Sequence, residues 1–360
     1  MRDTPYLVVD ERVLEANLAA MAAHAAERGL ALRPHAKTHK SPEIARRQLA
    51  HGAVGLTLAT VGEAEVFADA GFDDLFIAYP IWAEGPRAER LRTLASRVRL
   101  RVGADSRVAV GMLARAMASG EHPVPLAIAV EIDSGHHRSG VEPARAREVA
   151  AAALDVGLAV DGVFTFPGHS YAPGAREQGA AAEAAALEVA RDSLLAAGIP
   201  CPVVSGGSTP SAAAASGRSR GGVLTELRPG VYPFNDAQQW ELGTVDADSI
   251  ALTAVATVVS VRDKNVVVDA GSKVLGADRQ SWASGFGRLP LVPEARVVAL
   301  SEHHATIDWP AAVQLPALGS RLTLAPNHVC NAVNLADELI VEREGAEVDL
   351  WSVAARGRNT

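Results

Sequence analysis

Gly29-Leu-Ala-Leu-Arg-Pro-His-Ala-Lys-Thr-His-Lys-Ser-Pro-Glu-Ile44 is the stretch whose reading decides the fold. Gly29-Leu-Ala-Leu32 is a short apolar-rich run that reads as a strand. Ser41 and Pro42 read as a helix start, with serine at the cap and proline at the first helical position, where its missing N–H costs nothing. Lys37 therefore falls where a strand ends and a loop begins. Arg33, His35, His39 and Lys40 flank it and can carry positive charge. A lysine among cations and partly out of water favours its neutral amine, the form that attacks a carbonyl. That is what a Schiff-base lysine needs. On these residues alone a basic surface turn is the alternative.

The same strand–loop–helix texture recurs along the chain. Strand-like runs fall at 30–34, 54–58, 75–79, 98–102, 126–132, 160–166, 202–205 and 223–227, mostly separated by Ala/Glu/Arg/Leu-rich helical stretches such as 60–70 and 175–197. Eight alternating units predict a parallel (β/α)8 TIM-type barrel, with a doubly wound open sheet as the alternative. Ahead of it, Tyr6-Leu-Val-Val9 reads as an extra strand. Asp10 then caps a helix that runs to about Arg28, with Val13, Leu14, Leu18 and Met21 on one face. After about residue 245 the texture becomes mainly β, with strand-like runs at 251–261, 265–269, 296–300, 304–308, 321–324 and 339–342 and hairpin punctuation at 262–265 and 344–346. The expected domains are a barrel over 10–240 and a mainly-β domain over 241–360, joined by strand 1–9. Residues 211–222 and 276–289 read as loops.

Composition narrows the function. The 360 residues are 48% hydrophobic with a formal net charge of −8, so a large core is available and no basic stripe invites nucleic acid. Two cysteines, Cys201 and Cys330, make no disulfide framework and suit a reducing cytoplasm. The first residues lack the apolar core of a signal peptide, and no apolar run is long enough to span a bilayer.

The chemistry-bearing motifs fall at the C-terminal ends of the expected barrel strands, where such barrels keep their active sites. Lys37 follows the first strand, Arg138 the fifth, Pro167-Gly-His-Ser-Tyr171 the sixth, Ser205-Gly-Gly-Ser-Thr-Pro210 the seventh and Arg228-Pro-Gly-Val-Tyr-Pro-Phe-Asn-Asp236 the eighth. Gly206, Gly207, Ser208 and Thr209 make a phosphate cradle: the glycines let backbone N–H groups approach an anion, and the hydroxyls add donors. A flexible loop would have the same composition. A lysine on one side of a barrel mouth and a phosphate loop on the other suggest pyridoxal phosphate. Tyr171 either meets the cofactor ring or packs with its hydroxyl outward. Arg138 faces the cofactor's phenolic oxygen or a substrate carboxylate, or forms a surface ion pair. Pro326-Asn-His-Val-Cys330 is read as a strand, which would put His328 and Cys330 on one face as a soft N/S pair suited to zinc; a lone H-x-C can equally be structural. Cys201 reads as core.

Together these motifs resemble the fold-type III pyridoxal phosphate enzymes of the D-serine dehydratase-like and D-threonine aldolase group. The resemblance rests on Thr4-Pro-Tyr6, Arg33-Pro-His-Ala-Lys-Thr-His-Lys40, Gly168-His-Ser-Tyr171, Gly207-Ser-Thr-Pro210, Glu226-Leu-Arg-Pro-Gly230, Asp269-Ala-Gly-Ser-Lys273 and Pro326-Asn-His-Val-Cys330, and covers nearly the whole chain. It implies an alanine racemase-like barrel with a C-terminal β domain, in a homodimer. It implies Lys37 as the Schiff-base lysine, with Tyr171 and His35 completing the catalytic set. Arg138, His169, Tyr171, Tyr232 and the Gly206–Thr209 loop would bind the cofactor, and His328 and Cys330 would hold a divalent metal, zinc or manganese. The substrate would be a β-hydroxy-D-amino acid of the D-serine or D-threonine type. Four departures lean toward dehydration, giving a 2-oxo acid and ammonia, over retro-aldol cleavage. Asn331-Ala332 and Glu302-His303 differ from what relatives often carry, Cys330 stands where aldolases can have a carboxylate, and no second histidine follows Tyr171. An amino-acid racemase is the further alternative.

Overall fold

The computed structural model describes residues 2–118 and 125–360, and they divide into two units. Of these, one comprises residues 21–37, 45–118, 125–230 and 358–360; the other comprises residues 2–20, 38–44 and 231–357.

The larger unit is built on β2 (Ala31–Leu32), β3 (Leu56–Leu58), β4 (Asp74–Pro80), β5 (Arg99–Ala104), β6 (Ala127–Glu131), β7 (Ala159–Phe164), β8 (Val203–Gly206) and β9 (Glu226–Leu227). All are parallel, in the order β2-β9-β8-β7-β6-β5-β4-β3. Backbone bonds from Thr57 N–H to Pro34 O and from Ala36 N–H to Thr57 O, both 2.8 Å, join β3 to the chain leaving β2 and close the barrel. The eight expected strands are the eight observed. The helices around them include α3 (Val61–Asp69), α4 (Pro86–Ala95), α5 (Arg107–Met117), α6 (Ala146–Asp155) and α7 (Arg176–Ala196). Thr60 and Ser106 cap α3 and α5 by accepting the N–H groups of Glu63 and Ala109, donors that helix starts leave unsatisfied.

The barrel interior is charged as well as apolar. Buried Arg33 donates to Glu226 at 2.7 Å and to Asp74 at 2.6 Å, and Arg101 donates to Asp161 at 2.6 Å and to Glu226 at 3.1 Å. Ser205 Oγ also donates to Glu226. Burial alone would raise the Glu226 pKa, but the two arginines outweigh it and hold the carboxyl below its ordinary range. Its contribution is therefore present above its unfolded pKa of about 4.3 and lost as pH falls past it. Removing one partner of a buried pair strands the others, so Glu226→Gln is expected to cost about 3 kcal/mol at neutral pH, read by urea denaturation. An unchanged midpoint would mean that the network contributes nothing net.

The second unit contains β1 (Tyr6–Asp10), which pairs antiparallel with β10 (Leu252–Arg262) and parallel with β16 (Glu338–Arg343). α1 (Glu11–Glu27) follows β1 and is capped by Asp10, whose Oδ1 accepts the Val13 N–H at 3.0 Å. β11 (Asn265–Val268), β12 (Gly287–Leu289), β13 (Val292–Leu300), β14 (Ala305–Asp308) and β15 (Arg321–Pro326) join β10 in a closed antiparallel barrel, because β11 pairs with both β10 and β14. β17 (Ala346–Ser352) is the edge strand beyond β16. Two strands were not expected. β12 is only three residues at the end of the loop-like run 276–289. β17 carries Glu347 and Asp349 among its apolar residues, the charged pattern with which an edge strand discourages further pairing. Short helices complete the unit: α8 (Ala237–Glu241), α9 (Ser272–Leu275) and α10 (Val329–Leu335). No helix among the described residues is long and apolar enough to cross a membrane.

Candidate active site

The C-terminal ends of the barrel strands gather the polar residues around one ring, Phe166, just beyond β7. Lys37 Nζ lies 5.8 Å from its centroid and Arg138 Cζ 5.3 Å; the guanidinium is also 5.1 Å from the Tyr79 ring, so it sits between two aromatics. Tyr171 lies 6.0 Å away, and His136 meets the ring edge-on at 5.7 Å. Lys37, Arg138 and Tyr171 are thus brought together; Phe166 and His136 were not singled out from the sequence. His136 packs on Gly168, where a Cβ would fall 2.5 Å from the imidazole. Burial, then Arg138 and His169, push the His136 pKa down, against Asp133. His169 follows, and both its ring nitrogens are buried without a hydrogen-bond partner. Such atoms call for a polar ligand.

The four cations beside Lys37 in sequence have other commitments. Arg33 belongs to the barrel's ion-pair network. His35 is buried in the barrel wall; its backbone N–H donates to Pro229 O, while its ring Nδ1 is buried without a hydrogen-bond partner. His39 Nδ1 accepts the Ser41 N–H, so that nitrogen carries no proton, and Lys40 Nζ donates to Asn334 at 2.7 Å.

The phosphate-type loop is built tightly. Gly207 has φ +80°, open to glycine, and a Cβ there would strike Leu227; one on Gly206 would strike the Glu183 carboxylate. The Gly207 N–H donates to Glu183 Oε1 at 2.6 Å and the Ser208 N–H to Ser211 Oγ at 2.9 Å. These two amides, expected to face an anion, are taken up by the Glu183 side chain of α7 and by Ser211. Hydroxyls converge instead: Ser208 Oγ lies 3.1 Å from Ser170 Oγ and 2.8 Å from Ser211 Oγ. The cradle and the unpartnered His169 suit a phosphorylated cofactor.

Glu183, on α7, was not foreseen because nothing local marks it. Burial pushes its carboxyl up to about 7, with the Gly207 N–H and Arg228 opposing. A raised carboxyl pKa makes the native state bind the extra proton, so stability falls as pH rises from about 4.5 through 7. Glu183→Gln keeps an acceptor for Gly207 and removes the charge. Its stability advantage over wild type is expected to grow between pH 5 and pH 8 to about 2–3 kcal/mol; a gap independent of pH would show that Glu183 is ionised throughout.

In the other unit, His328 and Cys330 meet, but not by strand alternation. β15 ends at Pro326, His328 precedes α10, and Cys330 lies in the first turn of that helix. The helix begins there because Asp236 Oδ2 accepts the Val329 N–H at 3.2 Å. The same oxygen lies 3.3 Å from His328 Nδ1. Burial would lower the His328 pKa, but Cys330 and Asp236, both hydrogen-bonded to the imidazole, raise it well above its ordinary value. Cys330 Sγ donates to Thr38 Oγ1 at 3.2 Å. No group of three or more His, Cys, Asp or Glu side chains suited to a metal gathers among the described residues, so the pair would supply two ligands and leave the remaining positions open. A thiolate and an imidazole fit zinc better than manganese. Tyr232 is buried in this unit. Cys201 is buried, as expected of a core residue, and burial pushes its thiol up to about 11.

Comparison with known proteins agrees with this architecture. Residues 9–237 match the family model of the alanine racemase N-terminal domain and residues 251–342 that of a serine dehydratase domain. D-threo-3-hydroxyaspartate dehydratase of Delftia sp. (strain HT23) is 36% identical over 91% of each chain. D-threonine aldolase of Arthrobacter sp. is 35% identical over 99% of this chain and 93% of its own. The solved structure of the Delftia dehydratase superposes with a TM-score of 0.88 at 32% identity, covering 98% of this chain and 97% of that one, and another of its solved forms is described as metal-free.

Proposed function

The chain belongs to the family in which an alanine racemase N-terminal domain precedes a serine dehydratase domain, and from that premise we propose a pyridoxal phosphate- and metal-dependent lyase of β-hydroxy-D-amino acids. Within that class we infer dehydration to a 2-oxo acid and ammonia, in a homodimer. One observation carries the reading: Cys330, paired with His328, is hydrogen-bonded to Thr38, the residue that follows Lys37 in the chain.

When bound, pyridoxal phosphate supplies an electron sink and the metal a Lewis acid for the β-hydroxyl. The protein's residues do the rest. Lys37 holds the cofactor and, once freed, takes the proton from the substrate α-carbon. Arg138, close to the Tyr79 and Phe166 rings, and Tyr171 orient the ring system. Ser170, Ser208 and Thr209 hold the phosphate, with His169 turned to the cofactor. His328 and Cys330 hold the metal.

Retro-aldol cleavage to glycine and an aldehyde is the second reading, favoured by the 35% identity to a D-threonine aldolase. A product assay on D-threonine, with the protein loaded with pyridoxal phosphate and zinc or manganese, separates them. 2-Oxobutyrate with ammonia supports dehydration; glycine with acetaldehyde replaces it by cleavage. Epimerisation alone, unaffected by chelation, would overturn both in favour of a racemase.

A further inference from the structure

We propose that Asp236 and Thr38 are positioning residues for the metal, one behind each of its two protein ligands; the inference rests on the reading of His328 and Cys330 as that pair. Asp236 is completely buried. Its Oδ1 accepts the Gln239 N–H at 2.9 Å, which caps α8, and its Oδ2 accepts the Val329 N–H at 3.2 Å, which starts α10. Two backbone donors from two helices therefore fix the carboxylate before it meets His328. Capping α8 would need only one oxygen. The second is 3.3 Å from Nδ1 of the imidazole. A carboxylate there keeps the proton on Nδ1, sets the ring plane and leaves the Nε2 lone pair for a cation.

Thr38 does the corresponding work at sulfur. It too is completely buried, with its hydroxyl 3.2 Å from Cys330 Sγ. While Cys330 is a thiol, its S–H donates to Thr38. As a ligand to a divalent cation, Cys330 would be a thiolate, its proton given up to solvent. The Thr38 hydroxyl then turns and donates to the thiolate. The sulfur keeps one partner in both states. The sequence hides this pairing, since Asp236 and Thr38 lie 92 and 292 residues from the ligands they support.

The test uses the full-length holoenzyme and reads metal, not turnover. Zinc affinity is measured by competition with a chromogenic chelator, and the cobalt-loaded protein is scanned for its thiolate-to-metal charge-transfer band. Asp236→Asn keeps an acceptor for a backbone N–H but can set an amide donor against Nδ1–H. Thr38→Val keeps shape and loses the hydroxyl. Each is expected to weaken zinc binding about 10- to 100-fold and to shift the cobalt band, with the absorbance of lysine-bound cofactor unchanged; Thr38→Ser restores the band. Should Asp236→Asn fail to fold, 15N NMR of the zinc-loaded wild type decides that half: Nδ1 of His328 protonated and Nε2 on the metal is expected, and the reverse overturns it. His328→Ala and Cys330→Ala are the controls. If both bind zinc as the wild type does, the metal reading itself fails. If they lose zinc while Asp236→Asn and Thr38→Val keep wild-type affinity and spectrum, only the present inference fails.

Discussion

Lys37→Ala is expected to lower kcat/KM on a β-hydroxy-D-amino acid by at least about 10^4-fold, roughly 5.5 kcal/mol of transition-state stabilisation. The cofactor's lysine-bound visible band should disappear with it. Elimination and position both single out Lys37. The chain has four lysines, Lys37, Lys40, Lys264 and Lys273. Lys264 and Lys273 are ion-paired to Asp308 and Glu302, and Lys40 donates to Asn334. Lys37 is the lysine at a barrel strand end, against Phe166. No other amine stands ready to replace it as cofactor anchor or as the base at the α-carbon. Borohydride reduction of the wild type followed by peptide mapping should place the pyridoxyl group on Lys37. Label on another lysine, or turnover of Lys37→Ala within tenfold of wild type, would remove Lys37 from the mechanism.

The barrel was legible because each of its units repeats one physical pattern, an apolar run that ends at a loop before a polar-faced helix. Eight repetitions leave few alternatives, and the strands at 31–32 and 226–227, only two residues long, were still found from their flanking motifs. The antiparallel domain was legible as a texture but not strand by strand, since β12 is only three residues long and β17 carries charges along an edge, so neither presents a clear alternating apolar run. The site divides in the same way. Lys37, Arg138 and Tyr171 announce themselves by residue type at strand ends. Glu183 and Asp236 do not, because their importance comes from what the fold buries around them. His328 and Cys330 meet, but not for the reason their spacing gives. Two residues apart on a strand share a face, but these two meet across a helix start, whose position is set by a carboxylate 93 residues earlier. Local spacing carries chemistry across a few residues; it does not carry the long-range hydrogen bonds that decide which local geometry forms.

That distinction shapes the second large effect. His328→Ala, Cys330→Ala or stripping of metal by a chelator is expected to lower turnover of D-threonine by at least about 10^3-fold, about 4 kcal/mol. The colour of lysine-bound cofactor should survive, because the residues proposed to hold the cofactor phosphate and ring lie in the barrel. The work of Lys37 at the α-carbon should survive too. Exchange of the substrate α-proton in heavy water, followed by NMR, is therefore expected to continue in His328→Ala while product formation stops. Dehydration and retro-aldol cleavage both need the β-hydroxyl polarised, so the same loss is expected whichever product the wild type makes. Proton exchange lost together with turnover would mean that the pair acts at the α-carbon or supports the fold. Turnover retained in the metal-stripped enzyme and in both variants would show that His328 and Cys330 are structural, and would return the barrel to racemase-type chemistry, in which Lys37 works without a metal.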